Sequence, residues 1–158
     1  MFRPIKKKKS ELSTEATKEL LRNSRRGVLA VNGDNGYPYA IPINYFYDEK
    51  NQKIYFHGTA VGHKADSIKA CDKVCFTVYS NEIIKEEAWA PFMQSAVVFG
   101  RCHLIENQDV IFTLLKQLSM KYYPDESIFN DEMAVSGKAV KMYEIDIEHL
   151  SGKEVQEK

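Results

Sequence analysis

The stretch Tyr37–Tyr47, with the sequence YPYAIPINYFY, carries the clearest secondary-structure signal in the chain. Its odd positions are all aromatic or isoleucine, whereas most even positions hold smaller side chains. Alternation with a period of two predicts a β-strand with one face against a core. Pro38 and Pro42 remove hydrogen-bond donors from one side of this strand, so we expect either a sheet edge or a place where a flat ligand lies against the backbone.

The following stretch, Lys53–Asp72, reads KIYFHGTAVGHKADSIKACD and predicts a short strand, a loop and a helix that opens on Gly62-His63-Lys64. Free N–H groups at a helix start, with a cation beside them, form a site suited to binding a phosphate. The glycine spacing is too short for a nucleoside-triphosphate loop, and no Ser or Thr follows Lys64 to bind magnesium. An ordinary strand-to-helix connection remains the alternative.

The rest of the chain supplies further strands and helices on both sides of these two stretches. Strands are predicted at 27–31, 73–79 and 95–104 and around Tyr143–Ile147, with Gly100 as a bulge or a close approach. Helices are predicted from Ser13 to about Ser24 and from Asn107 to Tyr122, and residues 125–138 are irregular or a short helix. The pattern predicts a mainly β fold, a six-stranded antiparallel barrel with flanking helices.

Length, charge and composition limit the classes of protein to which this chain can belong. The 158 residues, 44% hydrophobic, suit one compact domain, which we predict at 13–158 behind a basic N-terminal arm at 1–12. Twenty-two basic residues balance twenty-two acidic ones, so bulk charge predicts neither a nucleic acid nor a membrane partner. The arm leads into Ser10-Glu11 rather than an apolar run, unlike a secretory signal. Three cysteines without a ligand pair predict reduced thiols in the cytoplasm and no metal site.

Two histidines flank the loop after the third predicted strand. His57 precedes it and His63 follows it, and imidazole is the side chain best suited to proton transfer near neutral pH. Both are therefore candidate catalytic residues. The alternative, a structural histidine with satisfied hydrogen bonds, remains open for each of them.

Several segments, taken jointly and in order, resemble a known family. They are Met1-Phe2-Arg3 with the basic run after it, 36–45, 54–58, 62–68, 95–101, 145–147 and 151–153. Through them the chain resembles the pyridoxamine 5′-phosphate oxidase-like flavin-binding proteins, and among these it looks most like the nitroimidazole-resistance (Nim) proteins. The resemblance covers nearly the whole length.

The resemblance implies a split β-barrel homodimer that holds flavin mononucleotide (FMN) in clefts at the subunit interface. Matching positions place His63 and Lys64 near the phosphate. Other matching positions contact the rest of the cofactor: Pro42, Ile43, Asn44, Phe56, His57, Gly58, Thr59 and, from within the interface, Ser95. The arginine-rich C-terminal set of the family's oxidase branch is missing, which argues against pyridoxamine phosphate oxidation.

The predicted function is that of a Nim-like, FMN-dependent oxidoreductase. The flavin would take electrons from a reduced donor, with NAD(P)H as one candidate, and pass them to a small nitro-aromatic or quinone-like acceptor. His57 or His63 would supply protons, and Trp89 would cover the ring. Two alternatives stay open: a flavin-binding module without turnover (a carrier, a store or a sensor), and a split barrel that binds haem or another flavin.

Overall fold

The computed structural model describes residues 1–136 and 140–157. The strands are β1 (Arg26–Asn32), β2 (Pro38–Asn44), β3 (Phe46–Asp48), β4 (Lys53–Gly58), β5 (Lys73–Tyr79), β6 (Phe92–Ile105) and β7 (Lys141–Gln156). The helices are α1 (Thr14–Asn23), α2 (His63–Ala70), α3 (Gln108–Tyr122) and α4 (Glu126–Ser136). The prediction of a mainly β fold with flanking helices is confirmed.

All strands pair antiparallel in one sheet of order β2-β1-β5-β6-β7-β4-β3. The two edge strands, β2 and β3, are consecutive in the chain and are separated only by Tyr45. One residue spans only about 3.5 Å, so the sheet must curl until its edges meet. No pairing joins β2 to β3 within the described ranges, and the barrel is therefore split along this line.

The barrel has seven strands rather than the predicted six, because the segment 37–47 is broken at Tyr45. This side chain is fully buried, and its hydroxyl donates to the Leu21 carbonyl at 2.5 Å. Its backbone N–H donates to the Tyr122 hydroxyl at 2.9 Å instead of continuing a ladder. The two halves of the segment therefore pair with different strands, β2 with β1 and β3 with β4.

Several local predictions are confirmed. The Ser13 hydroxyl accepts from Ala16 N–H at the start of α1, and the Asn107 side chain caps α3. The register of β6 against β7 shifts between Phe99 and Gly100, which is the expected bulge. β7 is longer than predicted because it stays paired with the long β6 as far as Gln156.

Two apolar clusters hold the fold together. The larger one fills the curled sheet with buried side chains that include Leu29, Tyr45, Phe56, Phe76 and Tyr143. The smaller one lies under the predicted helix α3, whose apolar face consists of the buried Ile111, Leu114, Leu115 and Leu118. Burial of each such side chain stabilises the fold by about 1.5–3 kcal/mol before entropy is counted. The second cluster fixes α3 beside the end of β4.

The N-terminal arm packs on the outer face of the sheet. The Phe2 ring stacks on His149, with a 4.7 Å centroid separation, and on Phe99 at 5.6 Å. The backbones of Glu11 and Lys153 form an isolated antiparallel β-bridge. Within the described residues, no helix combines the length and apolar character needed to cross a membrane.

Candidate functional site

The connection from β4 to α2 is shaped by its glycines. Gly62 has φ +104°, a conformation that side chains other than glycine rarely adopt, and it begins α2 without a side-chain cap. A Cβ at Gly58 would lie 3.0 Å from Lys64 Nζ, so glycine permits this close approach. The first N–H groups of α2 lack intrahelical partners, as at every helix start. The loop thus combines open backbone donors with a nearby ammonium group.

Lys64 is half-buried and lies over two aromatic rings. Its Nζ is 5.2 Å from the Phe56 ring centroid and 5.9 Å from that of Tyr143. Among the described residues it forms no ion pair. Loss of contact with water lowers the pKa of Lys64, and the nearby Cys102 offsets this only in part. A bound anion would therefore find a cation without a competing carboxylate.

Arg26 is the second cation of the same cleft. It pairs across the β1–β2 ladder with Asn44 and is exposed. The cleft has a volume of about 340 Å³ and is lined by Arg26, Pro42, Ile43, Asn44, His57 and Lys64. None of these described lining residues is acidic, so two positive charges face the cleft unopposed.

His57 lies at the end of β4, where the cleft meets the solvent. Its backbone pairs with Met142, while its side chain is exposed and lines the cleft. Partial desolvation, followed by the nearby charge of Lys64, lowers the pKa of His57 below its ordinary value of 6.5. The imidazole is thus mainly neutral at pH 7, and one nitrogen can accept a proton while the other donates one.

The structure places His63 away from this cleft. Its ring stacks on Tyr39 with a centroid separation of 4.1 Å, and its Nε2 lies 3.6 Å from an Asp34 carboxylate oxygen. Both partners belong to the β1–β2 hairpin. The two candidate histidines are therefore not brought together, and only His57 lines the cleft of this chain.

The remaining candidate residues contribute in different ways. The Phe56 side chain is fully buried, stacks on Tyr143 at 5.1 Å and does not line the cleft, although its ring lies beside Lys64. The Thr59 hydroxyl donates to Val61, and the Thr59 carbonyl accepts from the Tyr143 hydroxyl. Ser95 pairs with Tyr79 and Lys153 in the middle of the sheet and does not line the cleft.

Trp89, expected as a cover, also lies outside the cleft. It sits in the connection between β5 and β6, and 75% of it is exposed. Within one chain neither Trp89 nor Ser95 reaches the cleft lining.

Arg26 was missed by the sequence interpretation. It is one of several cations near the end of α1, where a helix C-terminus already accounts for positive charge. The signal that could have found it is the hairpin register: a loop over residues 33–37 pairs Asn32 with Pro38 and so places the residue before Gly27 opposite Asn44. Asn44 was already a candidate residue, so its cross-strand neighbour was one as well.

Comparison with known proteins identifies related sequences and folds. A family model described as pyridoxamine 5′-phosphate oxidase matches residues 13–154. No curated protein matches the chain.

Solved structures share the fold at low sequence identity. A candidate 5-nitroimidazole antibiotic resistance protein from Bacteroides thetaiotaomicron has a TM-score of 0.78 at 17% identity, covering 92% of this chain and 87% of that one. An FAD-binding protein from Mesorhizobium loti has a TM-score of 0.65 at 22% identity, covering 92% and 96%. An FAD and haem binding protein from Mycobacterium smegmatis has a TM-score of 0.69 at 18% identity, covering 92% and 72%. These likenesses establish the split-barrel fold.

Proposed function

The chain belongs to the pyridoxamine 5′-phosphate oxidase family, and from this premise we propose that it is an FMN-dependent oxidoreductase that reduces a small nitro-aromatic or quinone-like acceptor. The observation that carries the proposal is the cleft itself. It joins two cations, Lys64 and Arg26, to a sheet edge and a histidine, with no acidic residue among its described lining residues.

The residues present fit FMN. A phosphate is matched by Lys64, Arg26 and the uncapped first turn of α2. The flat ring is matched by the edge strand β2, where the prolines remove backbone donors and leave room for a ligand, with Asn44 offering a side-chain amide. Two of the similar structures carry names that describe FAD binding, which supports a flavin of some kind here.

The cofactor, when bound, would supply two-electron transfer between a reduced nicotinamide and the acceptor. The chain itself would bind, orient and shield the reactants. His57 would hold a proton at the mouth of the cleft, where a mainly neutral imidazole takes a proton from water and passes it to the acceptor. Reduction of a nitro group to a nitroso group consumes two electrons and two protons and releases one water, so a proton route is required.

A homodimer completes this proposal. On the outer face of the sheet, half-buried or exposed apolar side chains such as Val28, Val97 and Phe99 alternate with buried ones. Val28 pairs with Pro42, which lines the cleft, so the outer face runs directly into it. A second copy seated on this face would close the cleft and bring its own Ser95 near the ligand.

The absorption spectrum of the purified protein tests the proposal. We expect a flavin spectrum, FMN as the flavin released on denaturation, bleaching by NADH or NADPH without oxygen, and recovery of colour when a nitro-aromatic is added. A Soret band, or a colourless protein that FMN cannot reconstitute, would overturn the cofactor assignment. A flavin that is neither bleached by these donors nor reoxidised by the acceptor would overturn the enzymatic role and leave a binding module.

A further inference from the structure

A second pocket opens beside the cleft, between the end of β4 and helices α3 and α4. We call it the α3–α4 pocket. It has a volume of about 210 Å³, and Asn44 and His57 line both it and the cleft. The two cavities are thus adjacent, with a histidine and an amide shared by both linings. The cofactor contacts proposed above use the cleft and leave this pocket unassigned.

The far end of the pocket is apolar. Its floor and walls include the buried Leu115, Leu118 and Phe129 and the half-buried Met133. The pocket therefore has a polar end beside the cleft and an apolar end between the helices. Such a gradient orients a ligand that has an apolar ring and one polar substituent.

Tyr122 makes one wall rigid. Its hydroxyl donates to the Arg25 carbonyl at 2.5 Å and accepts from Tyr45 N–H at 2.9 Å. The guanidinium carbon of Arg25 lies 5.1 Å from the centre of the same ring. Because its polar group is already engaged, Tyr122 presents its ring to the pocket as a fixed, flat surface on which an aromatic ligand can stack.

The volume and the lining charge of the α3–α4 pocket limit the size and the charge of its ligand. Pockets for drug-sized ligands measure about 300–1,000 Å³, so this smaller pocket suits a single ring. Its described lining residues include the carboxylate Glu132 and no lysine or arginine. Its charge is thus opposite to that of the cleft, and a neutral ring is favoured over an anionic one.

We propose that the α3–α4 pocket binds a small, neutral, single-ring aromatic acceptor, with the ring beside Tyr122 and the polar group directed to His57 and Asn44. That the ligand is an electron acceptor rests on the proposed function. That the pocket binds an aromatic ring is argued from the pocket alone. The choice of acceptor would then be determined by residues of α3 and α4 and not by residues of the cofactor cleft.

Equilibrium binding tests the pocket separately from turnover. The probe is 4-nitrobenzyl alcohol, titrated with and without FMN. Isothermal titration calorimetry gives its affinity for each variant, and ¹³C labelling of the methionine methyl groups locates its site in the wild type. We expect the Met133 resonance to shift on titration. Met133→Trp, which fills the pocket, should weaken probe binding about tenfold or more, while Val135→Trp, on an exposed position of the same helix, should leave it unchanged.

Glu132→Lys, at an exposed position, is a second variant. It reverses one charge of the pocket without repacking buried side chains. The wild type should bind 4-nitrobenzyl alcohol more tightly than anionic 4-nitrobenzoate, and Glu132→Lys should shift this preference toward the anion by about fivefold. Failure of the Met133 resonance to respond, or equal probe affinity in wild type and Met133→Trp, would overturn the proposal even if the protein is an active flavoenzyme. A protein without flavin that still binds the probe at Met133 would retain the pocket and lose only the proposed reaction.

Discussion

At the scale of single residues, the site depends on two neighbours that point in different directions. His63 and Lys64 are adjacent at the start of α2, and successive helical residues are rotated by about 100°. Lys64 therefore lines the cleft, whereas His63 stacks on Tyr39 of the neighbouring hairpin. A sequence motif treats the two as one unit, but the helix separates their surroundings.

The phosphate assignment leads to a prediction for Lys64. Lys64→Ala should weaken FMN binding by about 1–3 kcal/mol, because a charged hydrogen bond to the phosphate is lost. Riboflavin, which lacks the phosphate, should bind to the variant and to the wild type with similar affinity. Fluorescence titration of both flavins measures the difference.

Lys69→Ala is the matched control for this experiment. Lys69 is exposed in the last turn of the same helix, so its removal tests for a general effect of lost charge on α2. Unchanged FMN affinity in Lys64→Ala, or an equal loss for riboflavin, would contradict the role of Lys64 as a phosphate ligand.

At the scale of secondary-structure elements, the β6–β7 pair is the longest strand pair in the sheet. The bulge at Phe99 and Gly100 changes its register, so that Gly100 faces Ile147 while Phe99 faces His149. A Cβ at Gly100 would lie 2.3 Å from the Asp146 carbonyl oxygen. The curl of the pair at this point therefore depends on a residue without a side chain.

Substitution at Gly100 should destabilise the fold strongly. Gly100→Ala is expected to lower the free energy of unfolding by about 2–4 kcal/mol, because backbone must move to relieve the collision. Denaturant titration at one fixed protein concentration measures the change.

The comparison variant is Gly36→Ala, which adds the same methyl group where nothing lies within 4 Å. Gly36 has φ +78°, so alanine there should cost only the backbone strain, about 1 kcal/mol. If Gly100→Ala were no more destabilising than Gly36→Ala, the close approach at the bulge would not be a stability determinant.

At the scale of the whole molecule, the cleft adjoins the outer surface of the sheet. Val28, next to the cleft residue Pro42, continues into an apolar face that includes Val97. The N-terminal arm covers part of this face through Phe2. A second copy on the remaining surface would enclose the cleft and shield a bound flavin from water.

The proposed dimer leads to a prediction for Val97. Val97→Asp should dissociate the dimer and weaken FMN binding about tenfold or more, because a buried carboxylate without a partner is costly. Sedimentation velocity and a flavin titration on the same sample would report both effects.

Val110→Asp is the control, since Val110 is exposed on α3 in the first turn, where an acidic side chain is tolerated. A monomeric wild type that binds FMN fully, or a Val97→Asp variant that remains dimeric, would remove the second subunit from the site.

Local features were predictable from the sequence because near neighbours encode them. Alternation in the strands, the caps at Ser13 and Asn107, and the bulge at Gly100 each depend on a few adjacent residues. The family could also be recognised, because its motifs stay in order along the chain.

The sequence by itself therefore determined the class of fold, the family and most of the cleft residues. Only the tertiary structure decided three further points: the break of the predicted strand at Tyr45, the entry of Arg26 into the cleft, and the pocket between α3 and α4. Each depends on contacts between residues far apart in the chain, such as Tyr45 with Tyr122. Such contacts are set by strand register and helix packing, and neither follows from a local pattern of residues.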